Sequence, residues 1–582
     1  MYFTAVLTLS FGLVLLLAGG VAFAADRCGD ADLSKLASRI YVAPTGGDSP
    51  TCGASAAAPC QSIQQGIDRC NGAGCGVLVR YGRYDLTATI QLKDGVSVYG
   101  RCVFDGDVDR NYRSTLLAPA GGQPAFNAAN INTPTWLDGF FVRGSDATTP
   151  GGASIAMTVS NSAGLTLRWI QLIGGKGADG APGSRTDGGQ GGNGWGPSGD
   201  TGGPGGDACG GNAQGGKGGQ GADFQQVSSD TCAIWCYCHN NNYPNSRGRD
   251  GAASGNIAGG SGKEPAARGA GCDNHTDTAQ DGFTGDPGKT GACALQGGTA
   301  DPDIFGDFSG GHWIPGQGNG GQTGDVGSGG GGGGSGGMAV LPGHDIPGRP
   351  GGGGGGGGCG GAGGTGGQQG GASIPLVLVQ SAVPRSNSIL IPGPGGSGGA
   401  GGMGGQGGPG GSGHSGAAGH NLHVYQWAAY DVWQPGAGGT GGDGGYGGAG
   451  AGGAGGNGGP SIGIALVGTS PALPNDQGIY AGQPGAGGSK GVGGQNDSTQ
   501  CKGADGADGV GGGKATWWQY LPEGYASCAQ ENGTCRFSGT KEVAFGANGR
   551  FIYKTATDSI NCNDNTFGDP IFGTVKACYI SK

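Results

Sequence analysis

From residue 438 to residue 459 a glycine stands at every third position, at 438, 441, 444, 447, 450, 453, 456 and 459. That period matches neither the 3.6 residues of an α-helical turn nor the alternation of a strand. It matches a polyproline-II-type helix, which turns once in three residues and makes no internal hydrogen bonds. A stricter Gly-Gly-X run extends from Gly395-Gly396-Ser397 through Gly410-Gly411-Ser412, and Gly177, Gly180 and Gly183 open an earlier tract. Three states suit such tracts. A long collagen-type triple helix is disfavoured, because 149 glycines among 582 residues are accompanied by only 30 prolines and the phase breaks repeatedly. A flexible linker is the second, since glycine loses much entropy on ordering. The third is a polyglycine-II bundle, in which bare backbones lie close enough to hydrogen-bond from one tract to the next.

The segments between the tracts favour the bundle. Ser373-Ile374-Pro375-Leu376-Val377-Leu378-Val379, Ser388-Ile389-Leu390-Ile391, Asn421-Leu422-His423-Val424-Tyr425 and Ser461-Ile462-Gly463-Ile464-Ala465-Leu466-Val467 are strand-like. Isolated strands are not stable in water, so these are expected to return to a common sheet stack. The tracts then become arms over 175–514, pinned at both ends and antiparallel to one another, with Pro392, Pro394 and Pro435 stiffening their roots.

Residues 38–174 have an ordinary composition. Tyr41-Val42, Val77-Leu78-Val79, Ile90-Gln91-Leu92, Val96-Ser97-Val98-Tyr99, Leu116-Leu117, Gly139-Phe140-Phe141-Val142, Ile155-Ala156-Met157-Thr158-Val159 and Leu165-Thr166-Leu167 are short β-rich runs bounded by turn residues. Their intervals suit the coils of a β-solenoid. The apolar spacing in Ser62-Ile63-Gln64-Gln65-Gly66-Ile67 predicts a short helix capping one end.

The strings Tyr41-Val42-Ala43-Pro44-Thr45-Gly46-Gly47-Asp48, Pro59-Cys60-Gln61-Ser62-Ile63-Gln64, Val77-Leu78-Val79-Arg80-Tyr81-Gly82-Arg83-Tyr84 and Gly95-Val96-Ser97-Val98-Tyr99-Gly100 together resemble the opening of pectin-lyase-like proteins. The resemblance covers the first quarter of the chain and implies an all-β, right-handed parallel β-helix. It implies no activity, because one fold hosts many functions.

From about Ala515 glycine recedes, and 515–582 reads as a small module rich in cysteine and aromatic residues. Cys535-Arg536-Phe537-Ser538-Gly539-Thr540, Phe545-Gly546-Ala547-Asn548-Gly549-Arg550-Phe551, Cys562-Asn563, Phe567-Gly568-Asp569-Pro570 and Lys576-Ala577-Cys578-Tyr579 are similar to a module on the C-termini of secreted bacterial polysaccharide-acting proteins. That resemblance implies a glycan-holding role. Trp517, Trp518, Tyr520 and Tyr525 are the carbohydrate-stacking candidates, the alternative being that they pack into the module's core.

The compartment follows from both the N-terminus and the cysteines. Ala5 to Ala25 is almost wholly apolar and ends on Ala22-Phe23-Ala24, a small-x-small site, so 1–24 reads as a cleaved signal peptide. An uncleaved anchor is the alternative; no later stretch is apolar enough to cross a bilayer. A secreted or cell-surface chain with 18 cysteines implies disulfides. Cys52/Cys60 and Cys70/Cys75 suit small-loop staples, and Cys528, Cys535, Cys562 and Cys578 suit a domain too small for a sufficient core. Cys232, Cys236, Cys238 and His239 form the tightest metal-like cluster, but without a second knuckle the expectation is disulfides with Cys209, Cys272 or Cys293.

Little else carries chemistry. Net charge −10 and an isoelectric point near 5.1 argue against nucleic acid as a partner. Asp105, Asp107 and Asp109 could ligate calcium, although the spacing is not that of an EF-hand and a solvated turn is the plainer reading. No other cofactor is implied. His344, His414 and His420 stand alone, and no carboxylate pair at glycosidase spacing can be assigned. Gln190, Asn193, Asp187, Gln406 and Asp443 read as solvent-facing. The expected function is non-enzymatic: adhesion to a polysaccharide or cell-surface glycan, or a matrix role. The alternatives are a polysaccharide lyase or glycoside hydrolase, and an ice-binding or surface-hydrating protein. The sequence leaves the oligomeric state open.

Overall fold

A computed structural model of the protein describes residues 26–104, 113–207, 214–219, 281–337, 339–341, 344–346, 348–419, 422–426, 429–468, 477–496 and 501–582. Strands dominate, and the two α-helices among the described residues are short, Ile63–Arg69 and Asp564–Phe567. The signal-peptide reading (1–24), the calcium candidates Asp105, Asp107 and Asp109, and Cys209, Cys232, Cys236, Cys238, His239 and Cys272 lie outside the described residues.

Three parallel sheets form the centre. The first runs Arg385–Ser386, Leu165–Arg168, Thr135–Asp138, Ser97–Val103, Cys75–Arg80, Ser38–Val42, with Arg27–Cys28 antiparallel on Ser97–Val103. The second runs Ile389–Ile391, Gln171–Ile173, Phe140–Arg143, Ser114–Leu117, Gly82–Asp85; the third runs Lys514–Tyr520, Ser461–Val467, Ser373–Val379, Ser154–Ser160, Phe126–Ala129, Ile90–Gln91. From Cys75–Arg80 to Ser461–Val467 the chain visits the three sheets in rotation, so each strand pairs with the one laid down a cycle earlier; Lys514–Tyr520 then adds directly to the third sheet. Alternate side chains point inward: in Leu165–Arg168 the two leucines are buried and Thr166 and Arg168 only partly so. The inward set, including Val77, Val98, Leu116, Phe126, Leu137, Phe140, Met157, Leu167, Leu376 and Leu466, forms one apolar cluster. Each large aliphatic residue so buried contributes about 1.5–3 kcal/mol.

The helix Ile63–Arg69 forms where its spacing predicts. The Ser62 side chain caps it by accepting from Gln65 N, and its buried face is Ile63, Gly66 and Ile67. Gly66 is required there, because a Cβ would sit 2.6 Å from the Val42 side chain.

Two strands of the third sheet differ from the rest. Ser373–Val379 and Ser461–Val467 are buried on nearly every residue, which explains their unbroken apolar sequence. Inward residues such as Leu376 and Ile464 join the central cluster, whereas Ile374, Val377, Ile462 and Ala465 pack under Phe305, Phe308 and Trp313. The last two belong to a hairpin, Asp307–Ser309 with His312–Ile314, so that hairpin covers the outer face of the sheet. Leu422–Gln426 departs from expectation. It does not return to the sheets but pairs antiparallel with Ala429–Trp433. Two strands joined by a two-residue connection satisfy each other locally, and the pair reverses the chain between two glycine tracts.

The glycine tracts are ordered against one another. Gly438, Gly441, Gly444, Gly447, Gly450, Gly453, Gly456 and Gly459 donate to the carbonyls of Ala417, His414, Gly411, Gly408, Gly405, Gly402, Gly399 and Gly396, an antiparallel register with a step of three. The next phase of the same tract, Gly439, Gly442, Gly445 and Gly448, donates instead to Gly334, Gly331, Ser328 and Asp325. Position within the triplet therefore selects the neighbour. Not every pair is antiparallel: Gly177, Gly180 and Gly183 donate to Pro394, Ser397 and Ala400, running parallel.

The longest unbroken glycine run has the most neighbours. Gly351–Gly358 donates to tracts at 216–219, 439–445 and 192–195, and accepts from tracts at 203–206, 327–333 and 411–414. With six neighbours no direction remains open for a side chain. In the Gly-Gly-X run one direction stays open and X occupies it: a Cβ on Gly395 or Gly396 would lie 2.0 or 1.9 Å from the Gly459 or Ala178 carbonyl oxygen, while Met403 is exposed. Buried serines fasten the roots. Ser154, Ser373 and Ser461 are neighbours in register, and the hydroxyls of Ser373 and Ser461 donate to the carbonyls of Gly175 and Gly393, where tracts begin.

Six disulfides join described cysteines: Cys28–Cys102, Cys52–Cys60, Cys70–Cys75, Cys293–Cys501, Cys528–Cys535 and Cys562–Cys578. The two predicted small-loop staples are present. Cys293 is not a partner for the Cys232 cluster: it ties the tract at 281–298 to the one at 501–513, which lie side by side through Ala504 N donating to Ala294 O. The C-terminal residues form an antiparallel sheet in the order Tyr525–Gln530, Ala577–Ser581, Thr534–Ala547, Arg550–Asn561. No helix among the described residues is long and apolar enough to cross a membrane.

Candidate functional site

The carbohydrate candidates begin on a strand of the third sheet. Lys514–Tyr520 pairs parallel with Ser461–Val467, so Trp517 and Trp518 take opposite sides of the sheet. Trp517 is buried in the central cluster with the Arg550 guanidinium 3.4 Å from its ring centroid. Trp518 stacks on Phe305 at 3.4 Å between centroids, and a Cβ on Gly549 would lie 2.3 Å from its indole. Both indole faces are thus covered. Tyr520 is buried as well, its hydroxyl donating to the Phe305 carbonyl and its ring packed edge-on against Phe308. Core packing accounts for these three. Tyr525 is half-buried, with its hydroxyl donating to Glu542 at 3.2 Å.

Around this aromatic stack opens a cleft of about 960 Å³. One wall is the segment Pro302–Ser309, which leads into the covering hairpin; another is Trp518–Tyr525; the third is the turn at Asn548, Gly549 and Phe551 in the C-terminal sheet. The third wall is anchored by Gln519, whose amide N donates to the Gly549 carbonyl and whose side-chain oxygen accepts from Phe551 N. Three parts of the chain far apart in sequence therefore build one site.

Its charged side chains are all acidic: Asp303, Asp307 and Glu523. Both Asp303 and Asp307 reach solvent, yet the protein packed around them raises their carboxyl pKa values by desolvation. Backbone donors at Phe305 and Phe308 oppose this, while Asp301 and Asp307 add to it for Asp303, and Glu523 for Asp307. Glu523 is shifted the other way, because Ser309 Oγ and Gly310 N donate to its two oxygens at 2.6 and 3.1 Å. The site thus combines carboxylates of different acidity with partly exposed aromatic rings at Tyr525 and Phe551.

Sequence reasoning passed over Asp303, Asp307 and Glu523. A signal existed: Ile304-Phe305-Gly306-Asp307-Phe308 is an aromatic island in glycine-rich surroundings, and two strands apolar on both faces demand a cover.

A second cleft, of about 620 Å³, lies at the helix end between Pro44, Asp48, Gln64, Arg83 and Tyr84. Asp48 is occupied there, accepting from Gln61 N and Ser62 N, and Arg83 pairs with Asp85 at 2.7 Å. Asp48, Cys52 and Cys60 cluster closely enough for a metal, but the two cysteines are joined as a disulfide.

No family model and no solved structure matches this chain. A segment of 61 residues is 43% identical to "Uncharacterized protein L701" of Acanthamoeba polyphaga mimivirus, covering 10% of this chain and 30% of that protein. The match spans under a third of the relative's length.

Proposed function

We propose that this chain is a secreted right-handed parallel β-helix carrying a polyglycine-II bundle, that its covering hairpin and C-terminal module frame a saccharide-binding cleft, and that it acts in glycan adhesion. The rotation of strands through three sheets supports the β-helix reading, and the three-residue hydrogen-bond step between tracts supports the bundle. Disulfides and the apolar N-terminal run support export. The observation that carries the glycan reading is the cleft itself, whose lining combines the partly exposed aromatic residues Tyr525 and Phe551 with Asp303, Asp307 and Glu523. Sugars are held by that pairing, with C–H surfaces on aromatics and hydroxyls donating to carboxylates.

A glycan array probed with the full secreted protein tests it. Binding to at least one oligosaccharide class is expected, weakened about tenfold or more by Tyr525→Ala. Silence across plant, fungal and bacterial glycans removes the adhesion reading. A hydrolase is the second reading, favoured by carboxylates whose pKa values are pushed apart, which is how acid and base roles are divided. Release of reducing ends from a bound polysaccharide, lost in Asp307→Asn, would establish it.

A further inference from the structure

Several acidic side chains elsewhere in the molecule are answered by cations. Asp179 pairs with Lys176, Asp187 with Arg185, Asp505 with Lys490 and Lys502, and Glu531 with Lys576. The cleft has no such cation. No Lys, Arg or His lines it, and no ion pair is formed by Asp303, Asp307 or Glu523 among the described residues. Instead the carboxylates act on one another, Asp301 and Asp307 on Asp303, and Glu523 on Asp307. Asp307 uses one oxygen for Phe308 N, and its other oxygen has no partner among the described residues. An uncompensated negative field in a partly desolvated, aromatic-walled cleft is unfavourable to the empty protein and is relieved by a cationic guest. The rings serve the same guest, since aromatic faces attract ammonium groups and Tyr525 and Phe551 line the cleft.

We infer that the cleft selects saccharides bearing free ammonium groups, that is, polymers of de-N-acetylated amino sugar, over neutral and acidic ones. This rests on the saccharide reading above. The sugar ring lies on the aromatic wall, and its ammonium group donates to Asp307 and Asp303. A polyuronate is rejected, because its carboxylates meet the same charge in a site without a counter-ion.

The test is calorimetric titration of the full protein with short oligomers of β-1,4-linked glucosamine, their N-acetylated counterparts, cello-oligosaccharides and oligogalacturonate. The glucosamine oligomer is expected to bind about tenfold or more tighter than the N-acetylated one, with no binding of oligogalacturonate. Asp307→Asn and Asp303→Asn keep the acceptors used by Phe308 N and Phe305 N, so they are expected to fold. Each is expected to erase most of the preference, weakening the glucosamine oligomer far more than the neutral ones. Equal binding of acetylated and free amines overturns the amine selection and leaves the saccharide reading standing. Absence of binding by any oligomer overturns both. Competition by oligolysine at equal affinity also overturns the proposal, since the site would then take any polycation.

Discussion

At the residue scale, what decides the bundle is the space that glycine leaves. A Cβ on Gly355 would lie 1.8 Å from the Gly411 carbonyl oxygen, and neither backbone can retreat from six-fold packing. Gly511, in the last tract, has its nearest neighbour, the Gly485 oxygen, at 3.7 Å. Gly355→Ala is expected to destabilise by about 1–3 kcal/mol or more through overpacking. Gly511→Ala is expected to stabilise by about 0.4–1 kcal/mol by restricting the unfolded chain. Thermal unfolding of the two variants beside the parent measures the difference. The need for glycine was legible in the triplet pattern. Which glycine is crowded was not, because the crowding atoms belong to another tract.

At the scale of the element, each surface tract must satisfy backbone N–H groups that point away from any neighbour. Asp and Asn side chains do this: Asp179, Asp187, Asn193 and Asp443 accept from the amides of Ser397, Gln406, Ser412 and Gly413, and Asp505 and Asp508 accept from Gly493 and Lys490. Asp187, Asn193 and Asp443, expected only to face solvent, are therefore edge caps. Proline at Pro409 solves the same problem by having no N–H. The caps hold carboxylates in the ionised form. Hydrogen bonding from Lys502, joined by Gly493 N, lowers the Asp505 pKa from 3.8 to about 2, and Asp179 and Asp187 are lowered too. A folded pKa below the unfolded one gives stability that is present above pH 3.8 and lost as pH falls toward about 2. The unfolding temperature is expected to drop across that window. Asp505→Asn is expected to lower it at neutral pH and flatten the drop, as scanning calorimetry over the same range would record.

At the scale of the molecule, sheets and bundle are one construction. Two strands of the third sheet, Ser373–Val379 and Ser461–Val467, are apolar on both faces because the hairpin at Asp307–Ile314 covers them, and the same hairpin supplies a wall of the cleft. The Cys293–Cys501 bridge fastens the tract next to that hairpin to the tract that leads into Lys514–Tyr520. Its removal in Cys293→Ser/Cys501→Ser is expected to cost about 2–4 kcal/mol, seen as earlier denaturant unfolding. Amide exchange in 281–298 and 501–513 should quicken more than in the sheets, and equal acceleration everywhere would argue against a local role for the bridge.

The amino-acid sequence by itself determined what depends on near neighbours: the period-three tracts, the alternating strands, the capped helix after Ser62, and the short-loop disulfides Cys52–Cys60 and Cys70–Cys75. Each of these is written within a few residues, where spacing alone sets direction. Only the tertiary structure decided which tract lies beside which, that Cys293 meets Cys501 across 208 residues, and that Trp517 enters the central core while Trp518 and Tyr520 pack against Phe305 and Phe308. It also decided that Asp303, Asp307 and Glu523 meet. The physical reason is common to all four. Glycine tracts carry almost no side-chain information with which to name a partner, so their order is imposed by the sheets to which their ends are tied.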